Sequence, residues 1–350
     1  MSLHRTSVVA VALSDDDSRG FSASKDGTIM HWDVSSGKSD KYKWPSDDVL
    51  KSHGMKIREP RSKKHSRETL ALAVSSDGRY LATGGVDRHV HIWDVRTREH
   101  LQAFTGHRHT VSSLCFRHGT SELYSGSFDR SVKVWNVEDK AFMQDSFGHH
   151  AEIISIDALR KERVLTVGRD RILLLTKVPE QSRSVYRAPA SSLESCCFIS
   201  DDEYLSGSDN GTVALWGMLR KKPVFLLKNL HTDIADGMTA NGILENGDDH
   251  SYVNSCSASS WVSSVAVCRG SDLAASGAGN GFVHLLGVET GKTAIRPLFK
   301  LPLSGFVNSL AIAKSGKFLI AGVGQETRFG RWGCLKSAQN GVAIHPIRLS

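Results

Sequence analysis

The 350-residue chain has no apolar run approaching the ~18 residues that a membrane-spanning helix needs, and its start, MSLHRTSVV, lacks the long apolar core of a secretory leader. A soluble intracellular protein with no membrane contact is the expectation. Helical periodicity is nearly absent, so the fold must be built from strands. None of the six cysteines forms a C-x-x-C pair, and Cys115, Cys196, Cys197 and Cys268 fall in expected inner strands, where they read as buried free thiols. The sixteen histidines show no zinc-site spacing: several recur at one slot of a repeating unit, and His89 and His91 alternate along a single strand. Neither a metal nor a cofactor is expected. GAGNGF at 277–282 has no helix after it, so it reads as a tight β-turn rather than a phosphate loop.

What is present is an ordinary globular composition, 40% hydrophobic and 23% charged, with a net charge of +7 and a pI near 9.1. The informative feature is internal repetition. Within GHRHTVSSLCFRHGTSELYSGSFDRSVKVW, residues His107, Ser125, Asp129 and Trp135 stand at successive offsets of 18, 4 and 6. His4, Ser22, Asp26 and Trp32 repeat those offsets, as do His65, Thr83, Asp87 and Trp93. Each unit reads as a four-stranded sheet that cannot bury both faces alone, so several must stack about an axis. The fold class is therefore all-β, a seven-bladed β-propeller, with 1–350 as a single unit.

The other blades are degenerate. Blade four runs from His149 or His150 through Thr166 and Asp170, with Thr176 in the tryptophan slot. Blade five keeps Ser206 and Trp216, but Asn210 replaces the aspartate and Ala188 holds the histidine slot. Blade six has Ser276, Asn280 and Leu286. Blade seven reads VNSLAIA, FLIAG and a weak third strand through TRFGRW, with the closing stretch at about 341–348 able to supply a fourth. Two insertions interrupt the series, a basic one at about 44–67 and a polar, Gly/Asn/Asp-rich loop at about 229–258, read as mobile. Both join an outermost strand to the next innermost one and so emerge on the same rim.

The residue types His107, Ser125 and Asp129 match a hydrolase triad, but a nucleophile is needed once and this set recurs with tryptophan attached. It reads as a structural network in which Asp accepts from backbone amides and His, His meets the Ser or Thr hydroxyl, and that hydroxyl meets the indole N–H. Loss of Asp129 or Asp87 should then cost stability, and the chain is not expected to be an enzyme. The sharper functional signal is KIREPRSKKHSR, six Lys/Arg against one Glu; from Lys38 to Arg67 the balance is ten basic to four acidic residues, nearly the whole net charge. A solvated loop is the plain reading. The functional one is phosphate binding by Lys56, Arg58, Arg61, Lys63, Lys64 and Arg67.

Trp93–Asp94 and Trp32–Asp33, with Trp135–Asn136 as a variant, make the repeat resemble the WD-repeat propellers, and the resemblance covers positions 4 to about 348. More narrowly, FSASKDGTIMHWDV, the basic join into SSDGRYLATGGVDRHVHIWD, and the ending GQETRFGRWGCLKSAQNGVAIHPIRL resemble the WD-repeat subunit family of the U-three small nucleolar ribonucleoprotein. That resemblance implies a scaffold in the nucleus and nucleolus. It would bind the box B/C region of the U-three small nucleolar RNA with a small kink-turn-binding protein, acting as a monomer among other small-subunit processome proteins in ribosomal RNA processing. Family members also carry a charged N-terminal extension with nuclear-localisation character, which is not seen here. Two rival functions remain. WDVR, Trp93 to Arg96, looks like the box by which some propellers dock on cullin-based ubiquitin ligases through an arginine, here Arg96. A peptide- or histone-binding propeller would gather acidic or aromatic residues at the mouth of the ring.

Overall fold

A computed structural model describes residues 4–55, 67–189, 192–231, 260–289, 294–330 and 333–348, and these form seven antiparallel sheets. Six have four strands in simple sequence order. Blade three, the most regular, runs Val111–Phe116, Glu122–Ser127, Ser131–Asn136 and Ala141–Phe147 from the axis outward. The innermost strand of each blade packs against that of the next, and Phe306–Ile312 of blade seven packs against Val8–Leu13 of blade one, closing the ring.

The alternation of the strands explains this stacking. In blade three Leu123, Val134 and Trp135 are turned to neighbouring sheets and buried, while the outermost strand keeps Phe142, Met143 and Phe147 exposed. Separate apolar clusters fill each gap between blades: Phe21, Ile29, Tyr42, Leu81 and Trp93 hold blades one and two together. Val8, Val11 and Trp32 with Ile320 and Val342 hold blade seven to blade one. Each such side chain contributes roughly 1.5–3 kcal/mol by burial, so closure rests mainly on this last cluster. A glycine late in the second strand lets the next blade approach. A Cβ on Gly126 would lie 2.9 Å from the Ile153 side chain, and one on Gly277 would lie 2.4 Å from that of Val307.

Blade seven departs from expectation. Among the described residues it has three strands, and Gly341–Pro346 pairs directly with Phe318–Gly324 as the third of them, not as a fourth. The stretch TRFGRW was expected as a strand, but its described part, Thr327–Gly330, forms none, and residues 331–332 lie outside the described set. Its polar groups are taken elsewhere. Gln325 donates to the Ala338 carbonyl at 2.9 Å, and Lys25 of blade one reaches the Gly330 carbonyl and Glu326 at 3.0 Å.

Candidate nucleic-acid interface

Because strand direction alternates within a blade, the turn between second and third strands leaves from the same end as the link from the fourth strand to the next blade. Both insertions and the 325–340 loop therefore emerge on one face, here called the upper face. Of the six cations expected to meet phosphates, Lys56, Arg58, Arg61, Lys63 and Lys64 lie outside the described residues. Arg67 is described: it pairs with Asp47 at 3.3 Å and its guanidinium lies 5.5 Å from the centre of the Trp44 ring.

The start of the basic insertion is firmly built. Trp44 donates to the Gly27 carbonyl at 2.8 Å and meets Trp93 and His91 edge-on, each at 5.0 Å between centroids. A short helix, Asp47–Ser52, begins with two acidic residues and buries Leu50, and His53 at its end lies 2.9 Å from His100 in the outermost strand of blade two. At the far end Arg67 covers the blade-one turn so closely that a Cβ on Gly27 would come within 2.3 Å of the Arg67 carbonyl.

At the centre of the upper face is a cavity of about 640 Å³ whose walls include Arg5, Lys25, Phe128, Arg169, Arg328 and Phe329. Arg328 crosses from blade seven to the far side of the ring, donating to the Leu70 carbonyl of blade two at 3.3 Å and to the Ser112 carbonyl of blade three. Burial pulls its pKa down to about 10 against the attraction of Glu194, whose own carboxyl burial pushes up. Arg328 also lines a second cavity of about 350 Å³, the axial channel, so its side chain divides the two. Phe329 meets Phe128 at 5.4 Å, and Arg169 lies 5.8 Å from the Phe128 ring centre. The mouth thus gathers two aromatic rings. Its carboxylates, Asp26, Glu68 and Glu326, are outnumbered by cations, and Glu326 is tied to Lys25.

The blade networks behind this face take several forms. Blade three closes completely: His107 meets Asp129 at 2.9 Å and Ser125 at 2.8 Å, and the Trp135 indole donates to Ser125 at 2.8 Å. Ser125 is fully buried, which suits a strut and leaves no approach for a substrate. Burial opposes ionisation of Asp129, but hydrogen bonds from His107 and Ser131 and the His107 charge outweigh it and hold the carboxyl below its usual range. In blade four the histidine is His149, bonded to Asp170 at 3.1 Å and Thr166 at 2.9 Å.

Blades one and two differ from the expected pattern. His4 meets Ser22 at 2.8 Å and Ser24 at 2.9 Å, and Ser24, not His4, bonds Asp26. The Trp32 indole N–H is buried without a partner. Its ring lies over Gly20, where a Cβ would come within 2.1 Å, and this placement takes it away from Ser22. In blade two Trp93 does donate to Thr83, at 3.0 Å, but Asp87 is taken by His91 at 2.7 Å, and His65 lies outside the described residues. Blade six has a histidine that the repeat spacing conceals. His231, at the start of the polar insertion, bonds Ser276 at 3.0 Å and Asn280 at 3.1 Å, while residues 232–259 of that insertion lie outside the described set. Arg96, the adaptor-docking candidate, is exposed in a turn between third and fourth strands and so lies on the opposite face. The five described cysteines are free, and burial pushes the Cys115, Cys196 and Cys197 thiols well up.

Among the described residues no group of three or more His, Cys, Asp or Glu side chains is placed to hold a metal ion. The ring, its network and its upper-face cavity define a WD-repeat propeller, and the family model "WD domain, G-beta repeat" matches residues 1–33, 59–94, 98–136 and 180–217. The chain is 83% identical to the U3 snoRNP-associated protein-like YAO of Arabidopsis thaliana over 99% of its own length and 68% of that protein's. It is 39% identical to the human U3 small nucleolar RNA-interacting protein 2, over 99% of this chain and 68% of the human one. A solved structure titled "Structure of U3-55K" superposes with a TM-score of 0.82 at 38% identity, covering 98% of this chain and 96% of that one. The chain belongs to the family of WD-repeat proteins associated with the U3 small nucleolar ribonucleoprotein.

Proposed function

We propose that this protein is a non-enzymatic scaffold of a U3 small nucleolar ribonucleoprotein in the nucleolus. It holds the box B/C region of the RNA beside a small kink-turn-binding protein and so supports early processing of the ribosomal precursor toward the small subunit. The observation that carries this reading is the 83% identity, across nearly the whole chain, to a protein named for its association with that particle. The basic insertion fits the role, because its first half is anchored on blades one and two and its last residue, Arg67, lies over the blade-one turn on the same face as the central cavity. The cations supply phosphate contacts, and sequence or shape is read elsewhere or by the partner.

A titration against a transcript of the box B/C region at two salt concentrations tests the insertion. Replacing Lys56, Arg58, Arg61, Lys63, Lys64 and Arg67 with alanine should weaken binding and flatten its salt dependence by up to about four in log–log slope, at roughly 0.7 per phosphate contact on single-stranded RNA. Arg67→Ala alone serves as a control for lost packing on Trp44. Unchanged affinity and slope in the six-fold variant would remove the insertion as the site.

A further inference from the structure

The turn between second and third strands puts one residue in the left-handed region in each of blades one to six. Blades one, five and six use Gly27, Gly211 and Gly281, the residue that adopts this conformation without penalty. Blades two, three and four instead use Arg88, Arg130 and Arg171, at φ of 70°, 69° and 63°. All three arginines are exposed on the upper face, and no ion pair holds any of them among the described residues. The carboxylates beside them do not neutralise them, because Asp87, Asp129 and Asp170 turn inward to His91, His107 and His149. Arg108 lies beside the blade-three turn, its backbone N–H held by Asp129 at 2.8 Å, and Arg169 leads from the blade-four turn into the central cavity. Glu68 and Glu152 are the nearest acidic residues in the links entering these blades.

Three consecutive blades thus accept a backbone conformation that disfavours side chains, and each places the same cation there. The turns on the opposite face form a control within the same blades. There the left-handed residues are Arg98, Lys140 and Gln181, of mixed type, and Arg98 is paired with Asp40. Strain kept where no packing needs it points to a role in binding. We infer that Arg88, Arg130 and Arg171 form an arc that grips the phosphate backbone of RNA. Guanidinium forks suit phosphate oxygens, and an arc without base-reading groups holds the strand's path rather than its sequence. The proposal rests on the scaffold reading above.

The test is a set of replacements at all three positions, Arg88→Gly, Arg130→Gly and Arg171→Gly, with a parallel lysine set, titrated against the box B/C transcript and against single-stranded poly(U). Glycine suits the turn, so the glycine variant should melt no lower than wild type, and lost binding cannot be blamed on misfolding. Its affinity for both RNAs should fall on the order of tenfold or more at 0.1 M salt, with a log–log slope flatter by about two, while the lysine set keeps most of the slope. Should wild type bind the transcript and the glycine variant bind it equally with the same slope, the arc is overturned and the scaffold reading stands. Should wild type itself fail to bind, both fall. If only capture of an acidic protein subunit were lost from the glycine variant, the arc would be a protein contact and the proposal wrong.

Discussion

Blades two and three carry the same Ser/Thr, Asp and Trp slots, yet their polar interiors are wired differently. In blade three one histidine, His107, bridges Asp129 and Ser125, and the network ends there. In blade two Asp87 opens a chain of histidines, through His91 to His100 at 3.0 Å and on to His53 at 2.9 Å in the basic insertion. Asp87 is ionised, its carboxyl held below the usual range by the His91 charge and hydrogen bond in spite of burial. His100 is neutral, so one of its ring nitrogens donates and the other accepts, and through them it bridges His91 and His53. The same slot residues can thus close a blade on itself or tie it to an insertion, and only the second arrangement couples the ring to the arm that leaves it.

Acid should break this contrast with the largest effect. Burial lowers the pKa of His100 to about 3 and that of His284 to about 3, in both cases helped by neighbouring histidines, and lowers His4 and His231 to about 4. Each is neutral in the fold and binds its proton first in the unfolded chain, whose histidines titrate near 6.5. Their contribution is complete above pH 6.5 and is lost as pH falls toward 4, reaching about 2 kcal/mol per histidine by pH 5. The lowered carboxylates of blades three and four titrate below that window. Urea denaturation at pH 7 and pH 5 should show a loss of several kcal/mol, part of which His100→Asn removes. A flat profile would mean that these rings are not held neutral.

Asp129→Ala comes next. It strips partners from the His107 ring, the Arg108 amide and the Ser131 hydroxyl at once, a loss of about 3 kcal/mol or more at roughly 1–3 kcal/mol per buried group left unpaired. Asp87→Ala should cost about 1 kcal/mol less, because its histidine chain can reverse every proton and deliver the orphaned donor to partly exposed His53. Equal losses in urea melts would show that the chain does not reverse.

The repeat was legible because a blade repeats its polar slots at fixed offsets. Ser125, Asp129 and Trp135 could be read directly, and so could the seven sheets and the face on which both insertions emerge. What escaped depends on distance along the chain or on backbone conformation. His231 stands 45 residues before Ser276 where the regular offset is 18, since the polar insertion falls between the histidine and its blade. His53 belongs to the other insertion and meets His100 only once the fourth strand is paired. The third strand of blade seven was misplaced because Arg328 and Phe329 turn into the mouth of the ring rather than join a ladder. For the arginine arc, the Asp–Arg pairs at 87–88, 129–130 and 170–171 were visible, but nothing in the letters shows that the second residue sits at positive φ.

The smallest expected effect separates two tryptophans in one slot. Trp135→Phe removes a buried donor that Ser125 accepts at 2.8 Å, and the serine must then rely on His107, a loss of about 1–2 kcal/mol including the smaller ring. Trp32→Phe removes a buried N–H with no partner, so release of that unpaired group offsets much of the lost contact with Ile320 and Val342. Its net cost should lie within about 0.5 kcal/mol of zero. Chemical denaturation of both variants compares them directly. If Trp32→Phe destabilised as much as Trp135→Phe, packing alone would account for the tryptophan slot, and the hydrogen bond to the second-strand hydroxyl would have no measurable part in holding a blade together.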